Sequence, residues 1–236
     1  MRRLRVMLIC LAITACESPE GPMGPSGQAG ANGADGAQGP QGMPGLQGPA
    51  GAASTSLFVA RFDDESDVFA WGKTRNSWEI TDGRLLVSGS GSEDLGTHLA
   101  PSTSFDGDIE ISVDTEWLEG TTDWSYGLSI RAGAEGRYQF GISATGGYIV
   151  GILGGTIAKE ALVDWTISEN INVRGRNNLR VTAYGDQFRF YVNDQLMAEF
   201  SDSRLASGRV SVFVEKLQEV AFDNLTVRMI EAGPLR

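Results

Sequence analysis

From Gly21 to Gly51 a glycine stands at every third position, eleven in succession without a gap. A period this strict constrains the backbone to polyproline II, because three such strands wound on one axis leave space there only for a residue with no side chain. The intervening positions agree: Pro22, Pro25, Pro40, Pro44 and Pro49 pre-set the φ angle of that helix, and most of the rest are small or polar. Residues 21–53 therefore predict a stalk in which three chains join as a homotrimer. Asp35 is the one charged residue among the triplets, so ion pairs between strands cannot fix register, and so short a helix needs a neighbouring folded domain to assemble. A Pro/Gly-rich spacer within a single chain is the alternative. Either state spans roughly 90 to 100 Å when extended at about 3.1 Å per residue.

Residues 1–16 read MRRLRVMLICLAITAC, with Arg2, Arg3 and Arg5 ahead of the apolar run 6–15. About ten apolar residues are too few to cross a bilayer, which takes about twenty, so the segment is expected to be a secretory leader that is removed. Its end, Ile13-Thr14-Ala15-Cys16, resembles the lipobox of bacterial lipoproteins, and the repeat that follows resembles the collagen-like segments of bacterial surface proteins. The first resemblance implies that Cys16 is acylated and becomes the mature N-terminus, a lipid attachment to the membrane. Glu17 is not the aspartate associated with inner-membrane retention in that family, which implies an outer-membrane or cell-surface position. Cys10 and Cys16 are the two cysteines; one leaves with the leader and the other carries lipid, so no disulfide is expected in the head. Removing three arginines and no acid takes the formal charge from −11 to −14. So acidic a surface repels phosphate backbones and argues against nucleic acid as a partner.

Composition changes after Gly51. Residues 57–230 hold a single proline, Pro101, and many runs of period two punctuated by Gly, Asn and Asp, the pattern of an all-β domain. Hairpins are legible at Asp82-Gly83, Gly185-Asp186 and Asn193-Asp194, pairs that tolerate the positive φ of tight turns. Counting further candidates at 109–117, 126–131, 138–144, 148–153, 209–214 and 220–229 gives about a dozen strands, which suits two packed sheets in a jelly-roll sandwich. The segments Asn178-Leu-Arg-Val, Phe190-Tyr-Val-Asn-Asp, Gly208-Arg-Val-Ser-Val-Phe and Phe222-Asp-Asn-Leu-Thr-Val resemble concanavalin A-like lectin/glucanase jelly rolls, nearest the laminin G-like and 3-keto-disaccharide hydrolase type. The resemblance implies a fold and leaves the ligand open.

Candidate chemistry lies in three places. Asp108, Glu110, Asp114 and Glu116 alternate along one strand, and a pair of carboxylates is what glycoside hydrolysis uses; the order departs from the glucanase pattern Glu-x-Asp, and the acids then face water opposite Ile109, Ile111 and Val113. Asp63 and Asp64 near the start of the domain and Asp223 near its end offer hard oxygen ligands for Ca²⁺, or form acidic turns. Trp124, Tyr126, Arg131 and Tyr138 could present ring faces and a guanidinium fork to a sugar, whereas Trp78 and Trp165 are expected in the core. His98 is the only histidine and no Gly-x-Ser-x-Gly elbow occurs, which leaves acyl transfer without a base. These features favour a lipid-anchored head on a stalk that binds glycans or surface proteins. The alternative is an exported glycoside hydrolase of the 3-keto-disaccharide type.

Overall fold

A computed structural model describes residues 21–22, 24–28, 56–68, 77–90, 97–99, 101 and 103–230. The chain divides into two units, Met1–Gly48 and Pro49–Arg236. In the first, the described residues are exposed and without regular secondary structure; the leader, Cys16 and most of the repeat lie outside the described residues.

The second unit is built of two antiparallel sheets. The first contains β1 (Ser56–Ala60), β2 (Trp78–Thr81), β3 (Arg84–Ser88), β6 (Ile109–Gly120), β11 (Asn177–Tyr184), β12 (Gln187–Val192), β13 (Gln195–Ser201) and β15 (Gln218–Met229). Its spatial order is β13-β12-β11-β6-β15-β3-β2, with β1 also paired to β15. The second holds β4 (Thr97–Leu99), β5 (Ser104–Phe105), β7 (Tyr126–Ala132), β8 (Arg137–Ile142), β9 (Gly147–Leu153), β10 (Glu160–Ile167) and β14 (Gly208–Val214), ordered β10-β9-β8-β7-β14-β4 with β5 also on β14. The first and last strands are neighbours: β3 lies along Glu219–Phe222 of β15 and β1 along Leu225–Arg228. Between these stretches Asn224 takes φ +52° where the register with β6 shifts.

Alternation decides which side chains meet. On β6 the inward residues Ile109, Ile111 and Val113 are buried, as are Leu179 and Val181 of β11 and Phe188 and Phe190 of β12; from the facing sheet come Leu128 and Ile130 of β7, Phe140 of β8 and Val150 of β9. Each such side chain contributes about 1.5 to 3 kcal/mol by leaving water. The hairpin turns match their residues, since Asp82 and Gly83, and Asn193 and Asp194, all have positive φ, the geometry that follows the twist of a two-residue hairpin.

The sandwich has fifteen strands among its described residues, more than the sequence shows. β1, β4 and β5 are short, and β10 reads Glu-Ala-Leu-Val-Asp-Trp-Thr-Ile without clean alternation. β10 is the edge of its sheet and its pairing with β9 shifts register twice, so no single face of it is consistently buried.

Candidate functional site: a cleft between Trp124 and Trp165

The acidic run Asp108, Glu110, Asp114 and Glu116, which begins just before β6 and continues along it, faces outward from the first sheet, and these four carboxylates are engaged. Asp108 accepts from the Gly185 N–H at 2.6 Å, and Glu110 lies 3.6 Å from Arg180. Asp114 accepts from the side-chain amides of Asn178 and Asn224 at 2.8 and 3.0 Å, and Glu116 accepts from Arg84 at 2.9 Å. These contacts tie β6 to its neighbours, a structural use of the spacing.

Three of the four expected sugar-contacting residues are core residues. Tyr126 and Tyr138 are fully buried, so no ligand reaches their rings. Burial pushes the Tyr126 hydroxyl well above its ordinary value, with the Glu116 charge adding to the effect. Arg131 takes φ +52°, which turns its side chain away from the outer face that alternation would give it. Its guanidinium donates to the carbonyls of Leu205 and Gly185 at 2.8 and 2.7 Å and lies 4.8 Å from the Phe188 ring centroid. Burial draws its pKa down, against the Tyr138, Asp108 and Asp186 charges. Period-two reasoning missed this because one left-handed residue reverses the face on which a side chain emerges.

Trp124 remains exposed and is joined by a residue expected in the core, Trp165, which is 47% exposed on edge strand β10. The two line one cleft of about 270 Å³ on the outer face of the second sheet, with Gln139, Ile149, Leu153 and Glu215 along it. Gly151 belongs to its lining, and two further glycines lie against the segments that carry the lining residues. A Cβ on Gly147 would stand 2.9 Å from the Trp165 ring, and one on Gly141 would stand 2.7 Å from the Ser125 Cβ, so bare backbone is what lets these groups sit down on the sheet.

The polar lining is preset. Glu215 accepts from Ser125 Oγ at 2.5 Å and from its N–H at 3.3 Å on one oxygen, and from Gln139 Nε2 at 3.0 Å on the other. Gln218 Nε2 donates to the carbonyls of Trp124, Ser125 and Glu215 at 3.3, 3.3 and 2.7 Å, which joins the loop carrying Trp124 to the turn after β14. From that turn Lys216 lies 4.5 Å over the Trp124 ring and fixes the indole by cation–π attraction.

At the far end, Glu160 accepts from Arg204 Nη1 at 2.5 Å. Arg204 also pairs with Asp202, which accepts from the Tyr138 hydroxyl at 2.6 Å. Arg204 first, then Tyr138, hold the Asp202 carboxyl down at about 2. Burial and the bond to Asp202 push the Tyr138 hydroxyl up to about 12. Because the folded value of Asp202 lies below its unfolded value of about 3.9, the stability it contributes is complete above about pH 4 and is lost as pH falls toward 2. Asp202→Asn is expected to flatten that acid limb when melting temperature is followed by calorimetry from about pH 5 to 2. An unchanged limb would show that this network does not stabilise the fold.

Of the three carboxylates expected to hold Ca²⁺, Asp63 lies near enough to Asp223 for its charge to act there, while Asp64 is engaged locally. Asp64 accepts from the Ser66 N–H at 2.7 Å as a turn cap. Asp223 accepts from the Asn224 N–H and faces Arg176 at 3.9 Å. Burial raises its pKa, with the Asn224 bond and Arg176 opposing, and the Asp114 and Asp63 charges add to the rise. Among the described residues no group of three or more His, Cys, Asp or Glu is placed to hold a metal ion.

No family model matches the chain, and no curated protein does. Solved structures do. The carbohydrate binding module CBM66 from Bacillus subtilis is 20% identical with a TM-score of 0.57, covering 67% of this chain and 94% of that one. The endo-β-1,3-glucanase from Pyrococcus furiosus is 9% identical with a TM-score of 0.60, covering 76% and 96%. The laminarinase catalytic domain from Thermotoga maritima is 12% identical with a TM-score of 0.56, covering 76% and 99%. The second unit shares its two-sheet jelly-roll sandwich with these structures. At these identities the likeness is one of fold.

Proposed function

We propose that the head binds carbohydrate in the Trp124–Trp165 cleft, and that it is carried at the outer membrane or cell surface by lipid on Cys16 and a trimeric stalk. The observation that supports binding is the pair of exposed indoles flanking a cleft whose polar groups are already oriented. Indole faces pack on the apolar faces of sugar rings, while amide and carboxylate groups in fixed positions take the hydroxyls. Neighbours named as a carbohydrate binding module and as β-1,3-glucan hydrolases are in keeping with this chemistry. Modest affinity per head is multiplied when three heads engage one surface.

Hydrolysis is the weaker reading. It calls for two carboxyl groups flanking the scissile bond, about 5 Å or about 6.5 to 9.5 Å apart. Here Glu215 has both oxygens occupied by Ser125 and Gln139, and Glu160 is bound to Arg204, which leaves Asp123 as the one further acid of the lining. Calorimetric titration of the lipid-free chain with soluble β-1,3-glucan and other polysaccharides tests the reading: saturable heat without product formation supports it, and release of oligosaccharides refutes it. For the anchor, Cys16→Ser is expected to abolish incorporation of a labelled fatty acid in cells; incorporation that persists would reject lipidation at this residue.

A further inference from the structure

The outer face of the first sheet is polar along β6, β11 and β12, where Glu110, Asp114, Arg180 and Arg189 point outward into hydrogen bonds and ion pairs. β1 is different. Phe58 and Ala60 turn inward, Phe58 against Phe105 with ring centroids 6.3 Å apart, and the outward residues are Leu57 and Val59, 43% and 46% exposed. The strand is also an edge, because among the described residues it pairs with β15 alone. Leu57 sits at a register shift between Ser56 and Phe58. Exposed edges are ordinarily guarded by charge or a bulge; here a bulge is present and two neighbouring aliphatic side chains stand exposed.

The chain before β1 identifies the occupant. Only residues 52–55 separate Gly51, the last glycine of the repeat, from Ser56, and five residue steps reach at most about 17 Å. If three chains share an axis at Gly51, three copies of β1 begin within that radius of it. We infer that Leu57 and Val59 are where the heads of three copies of this chain meet, and that this apolar contact sets the register of the repeat. The inference rests on the trimeric reading of the stalk. It supplies what the repeat lacks, since Asp35 is its one charged side chain and strand register has no electrostatic determinant there.

The test uses the chain from Cys16 onward carrying Cys16→Ser, with and without Leu57→Asp/Val59→Asp. Leu196→Asp, at a 52% exposed residue on β13, is the control. Sedimentation should give three chains for the parent and the control, with the dissociation constant of the β1 variant raised more than about tenfold and its triple-helix transition lowered in circular dichroism. Equal trimer stability in parent and β1 variant overturns the inference while leaving the stalk reading intact. A monomeric parent refutes the stalk reading and the inference together. If the aspartates unfold the head, Leu57→Thr/Val59→Thr keeps the strand and must still weaken the trimer.

Discussion

Trp165→Ala is expected to weaken the carbohydrate binding proposed for the cleft about tenfold to thirtyfold, while shifting the melting temperature of the sandwich by less than about 2 °C. The indole is 47% exposed on an edge strand, so its removal leaves no core cavity. Its ring lies against Gly147 and lines the cleft, where an aromatic is the kind of anchor that carries most of a binding free energy. Trp124→Ala should act similarly, and the double variant should bind below detection in calorimetry. Gly147→Ala offers an independent route to the same result, because its Cβ would stand 2.9 Å from the Trp165 ring and displace the indole without deleting it. Affinity retained in the double variant would place binding elsewhere on the head.

Phe188→Ala is expected to destabilise the sandwich by about 3 to 5 kcal/mol, lowering the melting temperature by about 10 °C. Phe188 is fully buried, and its ring lies 4.7 Å from Tyr138, 6.3 Å from Phe140 and 5.1 Å from Phe200. Because Arg131 lies over the same ring, the change also takes away a partner of a buried cation. Arg131→Met is then expected to cost less in the Phe188→Ala background than in the parent, a coupling that a double-mutant cycle measures. Strict additivity would show that the stacking contributes nothing.

The strands with clean alternation could be read directly. Ile109–Trp117, Asn178–Tyr184 and Gln187–Val192 place apolar residues two apart; the structure joins the second and third as the expected hairpin, and it sets the first beside the second, a pairing that the sequence does not specify. β10 was hidden because it lies at an edge with two register shifts and half-exposed apolar residues, so burial leaves no periodic trace there. The cleft suffered in consequence: without β10, Trp165 looks like one more core aromatic. Tyr126 and Tyr138 misled in the opposite sense, since a tyrosine serves as readily inside as out when its hydroxyl end finds a partner, as Tyr138 does at Asp202. Arg131 depended on a single left-handed residue, which no side-chain pattern announces. The glycines in and beside the cleft carried the one available signal, because Gly141, Gly147 and Gly151 recur on one face of adjacent strands where side chains would otherwise fill the space.

Probing a glycan array with the chain from residue 17 onward, beside its Trp124→Ala/Trp165→Ala counterpart, decides whether the cleft binds carbohydrate. Retention on a defined set of glycans by the parent and none by the double variant is expected, with both proteins melting at closely similar temperatures. A blank array at micromolar parent protein, or the same glycans retained by both, would contradict that expectation.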